Sequence, residues 1–141
     1  MKKLIILIAL AVLVISASAQ QAVNNSKSQF LLIVRFKTDF KPTSDEVVKN
    51  NIKKWQDYMS GLAKAGNLVG GYRPSGDGVT VSGETKSTKS SPYVANGEQV
   101  SSMLVIAAEN MDAAKAIADK CPVFEFGGSV EIRPLMNMAG Q

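Results

Sequence analysis

The sequence predicts an α+β fold, with an antiparallel sheet covered on one face by two helices. Three observations carry that prediction. Gln29 to Phe36 and Ser102 to Ala108 both read as strands that are apolar on two sides. Each is followed by a capped stretch with apolar residues at helical spacing. Shorter strand-like pieces lie after the first helix, and a final one ends near a proline.

The N-terminal segment belongs to targeting rather than to the fold. Lys2 and Lys3 precede an unbroken apolar run, Leu4 to Ile15, and Ser16-Ala17-Ser18-Ala19 offers small residues at an A-x-A cleavage site. That is the pattern of a secretory signal peptide over 1–19, with Gln20 as the mature N-terminus. The run is too short for a spanning helix, which needs roughly 20 apolar residues, and no Cys follows it to accept a lipid. The expectation is a periplasmic or secreted chain without a stable membrane anchor once the signal is cleaved. Residues 20–28 read as a polar, flexible leader, 29–136 as one domain and 137–141 as a tail.

Within the domain, the first strand places Phe30, Leu32, Val34 and Phe36 on one side, with Leu31, Ile33 and Arg35 on the other. Pro42 and a T-x-x-E capping box, Thr43 to Glu46, open the first helix. Val48, Ile52, Trp55, Met59 and Leu62 form its apolar stripe, and Gly66 stops it. Asn67 to Arg73 and Gly78 to Ser82 are expected to pair as a hairpin across Pro74 to Asp77. Gly83 to Ser91, with no large apolar residue, reads as an exposed loop. After the strand Ser102 to Ala108, Asn110 caps a helix over Met111 to Lys120, whose inner face is Met111, Ala114, Ile117 and Ala118. Cys121-Pro122 ends that helix. Gly127-Gly128 then leads into the strand Ser129 to Leu135, where Pro134 suits a sheet edge.

With right-handed crossovers this order gives a ferredoxin-like βαββαβ sandwich whose first and third core strands are central. Two helices cover one face only, yet the central strands are apolar on both. A second copy of the same sheet is the economical cover for the other face, so a homodimer is expected.

Composition narrows the chemistry. Without Lys2 and Lys3 the 16 basic residues become 14, against 12 acids, a net of +2. No basic cluster interleaved with aromatics survives, so nucleic acid is not an expected partner. The chain has no His and one Cys, Cys121. That excludes an intramolecular disulfide, Ser-His and Cys-His nucleophiles, and His-based metal sites. Acid–base work would fall to carboxylates, Lys, Tyr or the thiol. Neither metal-ligand spacing nor a phosphate-binding glycine loop is present, so no metal or cofactor is expected.

Several stretches, taken in order, resemble the YCII-related (DGPF-type) proteins: Phe30 to Arg35, Pro92-Tyr93, Glu98-Gln99, the strand through Ile106, Cys121-Pro122, and the ending Gly127 to Pro134. The resemblance covers nearly all of the mature chain. It implies a dimeric α+β barrel, in which two sheets face each other around a cavity. One branch of the family is associated with dehalogenation of chlorinated ring compounds, and the broader fold includes muconolactone isomerase-like proteins. The chain departs from the family pattern where acidic chemistry is implied. The D-G-P-F turn falls on Ser90-Ser91-Pro92-Tyr93, so its Asp and Gly are replaced. The A-E-T-K-E-like run falls on Val94 to Glu98, so its first acid and its Lys are missing. The His used by some branches has no counterpart.

Among the remaining candidates, Arg35, Glu131 and Arg133 come together if the first and last strands pair. They would form an anion or carboxylate site, or else a salt bridge. Tyr93 on its turn would close the cavity and hydrogen-bond a ligand, or simply pack; Tyr72 and Arg73 carry the same two readings. Glu98, the acid kept near the turn, would serve as a general base if desolvated, and is otherwise a solvated loop carboxylate. Cys121 at a helix C-terminus reads as a small buried hydrophobe, and Trp55 as packing. Together these residues favour a dimer that binds a small apolar or anionic molecule without efficient catalysis. An isomerase- or lyase-type enzyme using Glu98, Tyr93 and the arginines, and a structural interaction module, stand as the alternatives.

Overall fold

The computed structural model describes residues 27–136. The expected signal peptide over 1–19, most of the expected leader and the tail 137–141 therefore lie outside the described residues. The elements run β1 (Ser28–Lys37), α1 (Asp45–Lys64), β2 (Leu68–Tyr72), β3 (Thr80–Ser82), β4 (Ser87–Lys89), β5 (Val94–Ala95), β6 (Glu98–Ala108), α2 (Met111–Ala118), a 3-10 helix (Pro122–Phe126) and β7 (Ser129–Pro134). The main sheet has the order β2-β6-β1-β7, with β5 added at the start of β6. Its pairs are antiparallel. This is the ferredoxin-like arrangement, and the two strands that read as apolar on both sides are its central pair.

One side of the sheet and the inner sides of the helices make the core. Phe30 and Leu32 of β1 and Leu104, Ile106 and Ala108 of β6 are buried together with Leu62 of α1 and Ala114 and Ala118 of α2. Leu32, Val34 and Ile106 are fully buried, and each contributes about 1.5–3 kcal/mol relative to exposure. A second buried group, Val34, Cys121 and Val123, lies under the 3-10 helix. Cys121 is thus the small core residue its position implied.

α1 departs from expectation at two points. Its N-cap is Ser44, whose hydroxyl accepts from the Val47 N–H, and not Thr43. Both hydroxyls have the required three-residue reach, but a cap at Ser44 puts Val47 where the box needs Glu46, so no reciprocal bond forms. Ile52 is off the inner stripe at 52% exposure, and Asn51 takes the inward position. The Asn51 amide donates to the Pro122 carbonyl at 3.1 Å and to Glu125 at 3.2 Å, while Lys54 pairs with Glu125. A polar side chain is tolerated there because its buried amide N–H group has two acceptors, which tie the 3-10 helix to α1.

The expected hairpin between Asn67 to Arg73 and Gly78 to Ser82 does not form. β2 pairs with β6, and β3 turns back instead on β4. The segment expected to be a bare loop, Gly83 to Ser91, thus holds the turn and second strand of a separate ribbon. Gly83 and Lys86 both take left-handed conformations at that turn, joined by Lys86 N–H donating to the Gly83 carbonyl at 3.0 Å. β6 starts at Glu98, earlier than Ser102, because β5 and Lys37 give its first residues partners. Opposite Val34 and Arg35 of β1 stand Ser102 and Val100, so Ser101 is the extra residue of a bulge. The Ser101 hydroxyl donates to the Val34 carbonyl at 3.3 Å.

α2 is shorter than expected, and Met111 is 42% exposed rather than inward. Asn110 caps it as expected, accepting from the Ala113 N–H at 2.9 Å. β7 lies at the sheet edge, which accommodates Pro134. Between the 3-10 helix and β7, a methyl group on Gly128 would stand 2.3 Å from the Arg35 carbonyl oxygen and 2.5 Å from Val123. Gly128→Ala should therefore destabilise the fold by about 1–3 kcal/mol. The check is a urea titration, with a lower midpoint at unchanged slope expected.

Candidate functional site

Residues opposite each other in an antiparallel pair share a face, so the register assigns row by row the side chains of the face that, among the described residues, no helix covers, here called the open face. Gly70, Val105, Leu31 and Arg133 make one row across β2, β6, β1 and β7. Tyr72, Met103, Ile33 and Glu131 make the next. Val100, Arg35 and Ser129 follow, and the Glu98–Lys37 pair comes last. This face is therefore graded. Its first two rows run from apolar and aromatic at β2 to charged at β7, and the last row, on β6 and β1, is charged.

The charged side carries two hydrogen-bonded clusters. Arg35 Nη2 donates to Glu131 Oε2 at 2.7 Å, and Arg133 Nη1 donates to the other carboxylate oxygen at 3.1 Å. Ser129 Oγ donates to Glu98 Oε2 at 2.7 Å, while Lys37 Nζ lies 3.4 Å from Glu98 Oε1. The predicted trio of Arg35, Glu131 and Arg133 is brought together by β1–β7 pairing. Its carboxylate already occupies one donor of each arginine, and further guanidinium N–H groups remain beyond those two bonds.

Both acids are held below the ordinary carboxylate range. For Glu131 the leading cause is the hydrogen bond from Arg35, followed by that from Arg133. For Glu98 it is the Ser129 hydroxyl, with Lys37 and Arg35 adding to it. A carboxylate stabilised in its charged form is a poor proton acceptor at neutral pH, and a general base works best with a pKa near the operating pH. Glu98 is also a strand residue with two partners, not a carboxylate in a polar loop. Lys37 and Ser129 were not singled out from sequence. The alternation of β1 and β7 puts each on the same side as Arg35, which is the signal that could have found them.

Tyr93 belongs to neither cluster. It stands 71% exposed just ahead of β5. Tyr72 is better placed. Its ring lies over Gly70, whose missing side chain leaves room, since a methyl there would sit 3.4 Å from Tyr72 Cε2 and Oη. Arg73, one residue past β2, is exposed.

On the opposite side of the sheet, a groove between α1 and the segment after α2 is lined by Tyr58, Leu62, Ile117 and Phe124, with Cys121 at its floor. Tyr58 donates to the Ile117 carbonyl at 3.2 Å. Burial, and secondarily Cys121, raises the Tyr58 phenol above its ordinary value. Burial also pushes the Cys121 thiol up to about 11, against a smaller opposing effect of a Val123 backbone hydrogen bond. Both groups are locked protonated at neutral pH. Trp55, edge-on to Tyr58 at 5.9 Å, packs here and on the core.

Two measurements check this electrostatic picture. A carboxylate whose folded pKa is lowered stabilises the fold above its unfolded value, near 4.3, and loses that contribution as pH falls through the folded value. Glu131→Gln should therefore be less stable than the native chain at neutral pH, with the difference vanishing under acid conditions in denaturation curves taken across pH. Cys121 should react with a thiol reagent at mildly alkaline pH roughly 100-fold more slowly in the folded than in the urea-unfolded protein. Comparable rates would contradict its burial.

Comparison with known proteins adds a family. Comparison with curated proteins finds no match. Among solved structures, the chain is similar to 5-chloro-2-hydroxyhydroquinone dehydrochlorinase from Burkholderia phenoliruptrix AC1100, determined in complex with 2,5-dihydroxybenzoquinone. That similarity has a TM-score of 0.44 at 17% identity, over 79% of this chain and 96% of that one. The family model for the YCII-related domain matches residues 29–139. A match over that much of the chain makes this protein a member of the YCII-related domain family.

Proposed function

We propose that this chain is an exported YCII-type homodimer that holds a small apolar or anionic molecule between two open sheet faces and performs no efficient catalysis. The observation that carries the reading is the uncovered face itself. Leu31, Ile33, Met103 and Val105 present an apolar centre to a side of the sheet that neither helix covers. A patch of that kind on a sheet is a contact surface in waiting. Next to it stands the Arg35–Glu131–Arg133 network, which gives the same face a polar end. A second copy laid over this face would turn both features inward.

Export rests on the Lys2–Ala19 pattern alone, and it agrees with a domain that has one buried thiol and needs no disulfide. Absence of efficient catalysis rests on residue chemistry. The Asp of the family's turn is replaced by Ser90, no His is available, and both carboxylates on the open face are committed to hydrogen bonds that lower their pKa. A site without a free acid or base is better suited to holding a molecule than to transforming it.

Light scattering on the chain from Gln20 tests the dimer. The native protein should run at twice the monomer mass at micromolar concentration, and Ile33→Glu, which puts a charge at the centre of the face, should run as a folded monomer. A native protein that stays monomeric would overturn the reading. Native mass spectrometry of protein purified from its own envelope tests the ligand, with retained mass above that of the bare dimer as the expected result.

A further inference from the structure

The graded face has a definite chemical complement. This inference rests on the proposed dimer and deepens it by naming the class of ligand. We propose that each open face takes an amphiphilic monoanion, an apolar body ending in a carboxylate, with the carboxylate at Arg133 and the apolar end against Tyr72.

Charge sets the polar end. Lys37 and Glu98 balance each other. Around Glu131 two guanidiniums share a single carboxylate, one from Arg35 and one from Arg133. One positive charge is left over at the β7 side. Arg133 is the more available of the two, with its side chain 66% exposed against 27% for Arg35. A guanidinium carries five N–H donors, and the bond to Glu131 uses one of Arg133's, so a second carboxylate can be held without displacing the first. A dianion would exceed the free charge, and a cation would meet the surplus of its own sign.

Geometry sets the apolar end. From Arg133 on β7 the first row crosses Leu31 and Val105 to reach Gly70 on β2. Three strand spacings of about 4.8 Å make this path roughly 14 Å long. Its far end is the Tyr72 ring, folded over Gly70 and 65% exposed. Ile33 and Met103 in the neighbouring row flank the same path. A linear apolar body of that length, tipped by one carboxylate, meets a matching group at each step. A fully polar anion would leave the Tyr72 end unused, and a neutral hydrocarbon would leave the Arg133 charge unanswered.

Titration calorimetry of the dimeric protein with decanoate, decanol and decylamine, each kept below its aggregation concentration, tests the assignment. Decanoate should bind at about one per protomer, and the alcohol and amine about tenfold or more weaker. Arg133→Gln should weaken decanoate by a similar factor, Arg133→Lys should restore most of it, and Tyr72→Ala should weaken all apolar ligands. Equal binding of decanol, or an unchanged Arg133→Gln, would overturn the inference. So would sedimentation with phosphatidylglycerol vesicles without uptake of free decanoate, since that would mark a lipid-surface site. Light scattering on the same samples separates the two levels of the reading. A monomer ends both, whereas a dimer that ignores decanoate ends the ligand class alone.

Discussion

Everything in this molecule follows from a mismatch between a sheet with two sides and a helical layer with one. β1 and β6 form the central pair because their residues are apolar in both directions, and only a position between other strands lets both directions count. The helices take one side with Phe30, Leu32, Leu104 and Ile106. The other side retains Leu31, Ile33, Met103 and Val105, with charged residues gathered towards β7. Core and candidate site are two sides of the same strands, separated by one layer of backbone. Stability and recognition are therefore coupled through register, because a one-residue slip would exchange the two sets of side chains.

The strands that build this frame were legible because their composition is extreme. Phe30 to Phe36 and Ser102 to Ala108 have few alternatives to a central position. The polar details were less legible. Asn51 was hidden by Ile52, since an apolar residue is the better guess for an inward position until the partner 71 residues away is known. Pairing of β2 with β6 was missed for a similar reason. Pro74 to Asp77 looks like a local turn, and local turns are easier to read than a return from distant sequence. The 3-10 helix at Pro122 to Phe126 carries no periodic signal and is held from outside by Asn51 and Lys54.

At the site, Arg35, Glu131 and Arg133 were readable because strand alternation alone puts them on one side once the edge strand is identified. Glu98 was misjudged as a loop residue. Its neighbours Gln99 and Val100 give little sense of a strand, and its partners Lys37 and Ser129 come from two other strands. Tyr93 drew notice through its motif, whereas Tyr72 is better placed through Gly70, a contact that no motif records. Sequence reasoning found the residues whose role is written in their own strand. It missed those whose role is conferred by another.

The bulge at Ser101 has a consequence for how this strand can vary in length. Counting in twos from Leu104 and Ser102, which face the helices, Val100 and Glu98 would fall on the helical side as well. The unpaired Ser101 reverses the phase and delivers both to the open side, while its own hydroxyl donates to the Val34 carbonyl. Removal of that one residue would restore a regular ladder and leave Glu98 opposite Lys37. Insertion or removal of a residue between Glu98 and Val100 would instead point a carboxylate at the core. β6 thus contains a single place where evolution can edit its length without inverting the molecule's inside and outside.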